Sequence, residues 1–142
     1  MRNIILAFAL ILFTAAGSFA QCDKKVKWIG AKGELIGTGG DVEDTKEATF
    51  MITVDSKNIS LEISENPNER IEGPVTESTC EWKEAFKNGK GVYKATLTKP
   101  NGQSTAATIS IEGKDGKFIV LLELEQMEGK KVRVYIDKYE TL

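Results

Sequence analysis

No histidine occurs anywhere in the 142-residue chain. That absence removes the Ser-His-Asp and Cys-His nucleophile systems. It also removes histidine-ligated zinc, copper and haem sites, and any imidazole that would titrate near neutral pH. An excess of positive charge is lacking too. With 19 basic and 21 acidic residues the formal charge is -2, so nothing in the balance points to nucleic acid. Beyond the first twenty residues no apolar run is long enough to cross a bilayer as a helix. Cysteine is scarce, with two residues, Cys22 and Cys80. What remains is a composition that is 41% apolar and 28% charged, enough for one hydrophobic core and one domain.

The first twenty residues read as an export signal. Arg2 supplies a positive start, Ile4 to Phe13 is an uncharged apolar run, and small residues follow up to Ser18-Phe19-Ala20. The division expected is a signal peptide at 1–20, cleaved between Ala20 and Gln21, and a single β-domain at 21–142. The location expected is therefore periplasmic or extracellular, with no transmembrane segment in the mature chain. Cys22 lies where a bacterial lipoprotein would carry its lipid. However, Gln21 and Phe19 stand where such signals carry a small residue and a leucine, so anchoring at Cys22 is disfavoured. An oxidising compartment instead favours a disulfide between Cys22 and Cys80.

The dominant period in the mature chain is two. Phe50, Ile52 and Val54 share one face. Ile59, Leu61 and Ile63 alternate with polar residues, and Asp55-Ser56-Lys57-Asn58 between the two runs is turn chemistry. Strands are expected over Val92–Lys99, Gln103–Glu112, Phe118–Glu125 and Lys131–Tyr139. They are separated by turns at Asn101-Gly102, Asp115-Gly116 and Glu128-Gly129. Trp28 is placed on a first strand as a core residue. Thr79 to Asn88 admits two readings. Ser78 and Glu81 form a capping box, with Trp82, Ala85 and Phe86 at helical spacing, so a short helix is favoured. The competing reading is a strand with Cys80 and Trp82 on one face. About eight short strands at hairpin spacing give an all-β fold, an antiparallel meander closing into a calycin-like barrel, or a β-sandwich.

From Val92 to Glu140, the Tyr93-x-Ala95 strand, the Asn101-Gly102 turn, the run Ala107 to Lys117 and the closing Lys131-Val132-Arg133 segment resemble small exported bacterial proteins that have no assigned function. The resemblance covers roughly a third of the chain. It implies an exported β-domain and brings no catalytic residue, ligand or partner.

Several groups invite a functional reading. Gly37-Thr38-Gly39-Gly40 fits neither the dinucleotide nor the P-loop pattern and reads as a loop. Asp41, Glu43 and Asp44 supply hard oxygens for calcium but lack the ligand spacing of an EF-hand, and read as a solvated acidic loop. Glu123 and Glu125, two apart on one strand face, are the one pair that could do acid/base work on a sugar. Asn58-Ile59-Ser60 matches a glycosylation sequon at the start of a strand. Trp28, Trp82, Tyr93, Tyr135 and Tyr139 are candidates for lining a pocket. No catalytic residue, metal site or cofactor is expected. The function expected is that of an exported, non-enzymatic β-domain that binds a small apolar ligand or an envelope partner. The alternative is a histidine-free carboxylate enzyme acting on glycans.

Overall fold

The computed structural model describes residues 22–64, 67–84 and 87–142. The signal segment and its cleavage point, Ala20 and Gln21, lie outside the described residues. Eight strands run in chain order: β1 (Val26–Ile36), β2 (Val42–Val54), β3 (Asn58–Ile63), β4 (Ile71–Glu84), β5 (Asn88–Thr98), β6 (Ser104–Lys114), β7 (Lys117–Leu124) and β8 (Lys131–Thr141). Each pairs antiparallel with the next, and β8 returns to β1 from Val26↔Thr141 to Ile36↔Lys131. The sheet is thus a closed barrel and not a sandwich. Closure leaves no strand without a partner on both sides, although β2 and β4 are paired on both sides over only part of their length.

Tight turns make this meander local. Asp55 Oδ1 accepts from the backbone N–H of Lys57 at 2.7 Å and of Asn58 at 2.8 Å, which folds β2 onto β3. Between β6 and β7, Asp115 and Gly116 both take positive φ (54° and 77°), the geometry a two-residue hairpin needs to match strand twist. Inside the barrel, Trp28, Val54, Ile59, Leu97, Ile109, Ile111 and Val120 are all less than 2% exposed.

The expected helix over Thr79–Asn88 is absent. Residues 71–84 are strand β4, and Asn88 begins β5. Ala85 and Phe86 lie outside the described residues. Cys80 and Trp82 are both buried, while Thr79 and Glu81 between them are exposed. The period is therefore two, the second of the two readings. Ladder bonds to β5 and the covalent tie at Cys80 outweigh the local capping signal.

Two strands outrun their neighbour. β3 has six residues, against 13 in β2 and 14 in β4. It covers only Phe50–Val54 of β2 and Ile71–Pro74 of β4. The first half of β2 therefore rises past the barrel rim as one arm of a β1–β2 ribbon, with no strand on its far side among the described residues. At the other end, the latter half of β4 extends past β3, and Cys22, just ahead of β1, is bonded to it at Cys80. The Cα atoms of the two cysteines are 5.6 Å apart.

Candidate functional site

The barrel's two ends differ in chemistry. One end is where β3 and β7 finish and β4 and β8 begin. Leu61, Ile63, Ile71, Leu122, Leu124 and Val132 stand there, packed against the core but only partly buried. Register shows that they face inward. Ile63 lies opposite Phe50, Leu124 opposite Ala107 and Leu122 opposite Ile109, all buried. Ile71 lies opposite Leu61, and Val132 opposite Leu122. This is an apolar rim open to solvent, on a barrel whose strand number leaves room for core side chains or one small ligand. Beside it, Gly33 lacks a side chain because the Phe50 ring occupies that space; a Cβ there would sit 2.6 Å from Phe50 Cζ.

The opposite end is packed with aromatic rings. Trp28 contacts Phe118 at 5.0 Å and Tyr139 at 5.2 Å between centroids, Phe118 contacts Tyr139 at 5.5 Å, and Trp82 joins Phe118 at 6.2 Å. These tilted and edge-on arrangements are the favourable ones for aromatic pairs. Gly113 gives the rings their room: a Cβ there would lie 2.8 Å from Phe118 and 2.9 Å from Trp82. Tyr93 lies alongside, with its hydroxyl donating to Cys80 Sγ at 3.4 Å. A disulfide sulfur carries no proton, so the phenol is the donor. Burial, with a smaller contribution from the Asp55 charge, pushes the Tyr93 phenol up to about 12. Of the five aromatic candidates, Trp28, Trp82, Tyr93 and Tyr139 thus belong to this filled end.

The fifth, Tyr135, belongs to a charge cluster on the outer wall that sequence reasoning missed. Glu34 on β1 pairs in register with Arg133 on β8. Its Oε2 accepts from Arg133 Nε at 3.0 Å, Arg133 Nη2 at 2.6 Å and the Tyr135 hydroxyl at 3.0 Å, while Oε1 meets Lys32 Nζ at 3.1 Å. Lys32 and Arg133 each approach the Tyr135 ring at 5.4 Å. The hydrogen bonds from Arg133 chiefly, with Lys32 and Tyr135 adding, hold the Glu34 carboxyl down near 2 against the opposing cost of desolvation. All the acceptor capacity is directed at neighbours on the same wall, so this cluster fastens the β1–β8 seam.

The sequence-derived carboxylates are dispersed. β7 ends at Leu124, so Glu125 opens a 3-10 turn and does not share a strand face with Glu123. Glu123 bonds Lys131 at 2.7 Å. Both line a shallow outer groove of about 540 Å³ together with Lys94, Thr96 and Thr108. The acidic loop is likewise divided. Only Asp41 precedes β2, whereas Glu43 and Asp44 are on the strand. Glu43 bonds Lys130 at 2.9 Å, and the Asp44 carboxylate accepts from the Thr45 N–H at 2.9 Å. Among the described residues no three acidic or cysteine side chains group as metal ligands. Gly37–Gly40 forms a turn closed by backbone bonds from Gly40 N–H to Gly37 O and from Gly37 N–H to Asp41 O. Asn58 of the sequon opens β3 beside that strand's turn.

No protein-family model, curated protein or solved structure matches this chain.

Proposed function

We propose that this is an exported, non-enzymatic carrier that takes a small apolar ligand into the barrel mouth. The observation that carries the reading is the partly buried set of Leu61, Ile63, Ile71, Leu122, Leu124 and Val132 at one end of a barrel filled with aromatics at the other. Ligand sites are concave and mostly apolar, with few polar groups. Leaving six aliphatic side chains partly wet forgoes about 25 cal/mol for each Å² not buried, and an apolar ligand recovers it. Export is supported by the Cys22–Cys80 bond, since such bridges persist outside the reducing cytosol. It is supported too by the resemblance to exported bacterial β-proteins. With its sulfur committed to Cys80, Cys22 has no thiol left for a thioether lipid, which favours a freely diffusing mature protein.

Titration of the mature chain with N-phenyl-1-naphthylamine tests the reading. A saturable, one-to-one, blue-shifted fluorescence rise is expected, and it should be abolished by Leu124→Asp at the rim. A linear, unsaturable response, or one that Leu124→Asp leaves unchanged, overturns it. Native mass spectrometry of protein from its own host would show a retained ligand as added mass.

A further inference from the structure

The cations of this barrel are sorted by place into those with a partner and those without. Along the walls and around the mouth, every one is engaged. Lys32 and Arg133 meet Glu34, and Arg70 spans Glu62 and Glu72. Lys90, Lys94, Lys130 and Lys131 each hold a carboxylate. Lys99 donates to Gln126, and Lys46 has a partner as well. The aromatic end is different. Lys25 lies ahead of β1, Lys57 in the β2–β3 turn and Lys83 at the end of β4, while Lys114 and Lys117 flank the β6–β7 turn and Lys138 stands near the end of β8. All six are exposed, and among the described residues none has an ion-pair or side-chain hydrogen-bond partner. The charge balance follows the same division. Segments 22–27, 55–58, 81–88, 114–117 and 137–142, which make up this end, carry nine lysines against seven acids. The rest of residues 22–142 carries nine bases against 14 acids. Two of the three exposed large apolar side chains among the described residues, Tyr139 at 40% and Leu142 at 62%, belong to the aromatic end too.

We infer that the aromatic end rests against an anionic bilayer surface, with the mouth turned away from it. Three hairpin turns, the start of β1 and the finish of β8 all lie at this end, so lysines spread over five segments of sequence come to one side of the barrel. A lysine brought close to anionic headgroups strengthens membrane binding about fivefold. An exposed tyrosine suits the same boundary, because its amphipathic ring sits at headgroup level. Nucleic acid is the poorer partner. A long polyanion reaching beyond this end meets the surplus of acids over the rest of the barrel, whereas a plane touches the end alone. The acids at this end oppose the lysines, and the contact is shallow, so binding is reversible and sensitive to salt. It stands apart from whatever the mouth holds.

Co-sedimentation of the mature protein with vesicles decides it. Vesicles of equal parts phosphatidylglycerol and phosphatidylcholine should bind it about tenfold more tightly at low salt than vesicles of phosphatidylcholine alone. The difference should vanish near about 1 M salt, where charges are screened. The triple variant Lys57→Gln, Lys114→Gln, Lys117→Gln should weaken binding to the anionic vesicles by about tenfold or more, with melting temperature unchanged. A matched triple, Lys90→Gln, Lys94→Gln, Lys99→Gln, removes the same charge from the walls and mouth and should weaken it less than about threefold. Equal losses in the two triples would show that net charge governs and not this end, and overturn the assignment. Equal binding of the parent protein to neutral and anionic vesicles overturns it without any variant. Tighter binding to a single-stranded oligonucleotide than to the anionic vesicles overturns it in favour of nucleic acid. Failure of naphthylamine to bind removes the ligand reading and leaves this one standing.

Discussion

The Arg133 guanidinium donates twice to a single oxygen of Glu34, from Nε at 3.0 Å and from Nη2 at 2.6 Å, across the seam where the last strand meets the first. The two residues are 99 positions apart in sequence, and the bond joins the chain's ends into a ring. The Glu34 side chain is only 8% exposed although it lies on the outer wall, because Lys32, Arg133 and Tyr135 cover it. Arginine suits this place better than lysine, since its rigid fork directs two donors at one carboxylate.

Acid should therefore loosen the seam. The Glu34 carboxyl titrates near 2 in the folded protein, against an ordinary 4.5. A depressed carboxyl contributes stability that is complete above the unfolded value and lost as pH falls through the folded one. The loss should run from about pH 4.5 down to about pH 2. Glu34→Gln should lower the melting temperature at pH 7 and flatten its decline across that window. An acid limb parallel to that of the parent protein would show that the cluster adds no net stability. The carboxyl carbon shift of Glu34 in a magnetic resonance titration gives the folded value directly.

Alkali acts at the other end of the barrel. The Tyr93 phenol is pushed up to about 12 from an ordinary 10. A raised value means that its contribution is full below about pH 10 and lost as pH rises toward 12. Phenolate absorbance should show one step near pH 12 that disappears in Tyr93→Phe. If the Tyr93→Phe curve overlays that of the parent protein, the burial argument fails.

Most strands were legible in sequence because one face is wet and the other dry. Phe50-Ile52-Val54, Ile59-Leu61-Ile63 and the four C-terminal runs all alternate, and the turns between them carry Asp, Asn or Gly where the backbone needs them. Three features were not legible. Val42 to Glu47 has no apolar alternation, because this half of β2 is wet on both faces, and the acidic residues Asp41, Glu43 and Asp44 read as a loop. Ser78 to Asn88 carried a helix-capping pattern whose defeat required knowing β5 and the disulfide. The Glu34 cluster had a faint signal, Lys32-x-Glu34 and Arg133-x-Tyr135 at period two. Its meaning depended on β1 and β8 being neighbours, and that follows from closure and not from local pattern. The mouth was half visible: Leu61, Ile63, Leu122 and Leu124 could be assigned to an inner face, but not to one end of the barrel.

The uncovered half of β2 also explains its charges. An open strand edge invites another chain, and charged residues along it are the usual protection. Glu43, Asp44, Lys46 and Glu47 all lie here, and Asp44 occupies one edge N–H, that of Thr45. Replacing Asp44 and Glu47 together by valine should produce concentration-dependent self-association in light scattering, with the parent protein as the baseline. Unchanged mass over a hundredfold concentration range would show that the edge is protected by something other than its charges.

The disulfide fixes the segment ahead of β1 to a part of β4 that β3 does not reach. Closing a loop of 58 residues' separation stabilises by about 4 kcal/mol on the chain-entropy model, an upper figure because reduced chains retain structure. The double variant Cys22→Ser, Cys80→Ser should still form the barrel, since its hairpins close without the bridge. It should melt lower, by up to about 15 °C if the full figure is realised. Loss of the β-sheet circular dichroism signal at 25 °C would show instead that the bridge is needed for folding. Two reactive thiols per chain in denatured, unreduced protein would show that the bridge does not form.

The aromatic end can be probed at a single atom. Gly113 on β6 lies opposite Phe118 on β7 and opposite Gly89 on β5, which in turn faces Trp82 on β4. The position is glycine for lack of space: a Cβ would meet Phe118 at 2.8 Å and Trp82 at 2.9 Å, and those rings are wedged against Trp28 and Tyr139. Gly113→Ala should therefore displace the whole cluster, at a cost of about 1–3 kcal/mol, typical of overpacking. Near-ultraviolet circular dichroism should change with it, because the signal arises from rings in fixed mutual orientation. The apolar rim is at the other end, so naphthylamine binding should survive. A variant that melts like the parent would mean the rings yield freely and do not form a rigid floor. A variant that folds but loses the ligand would mean the two ends are coupled through the intervening core of Ile52, Ile109 and Val120.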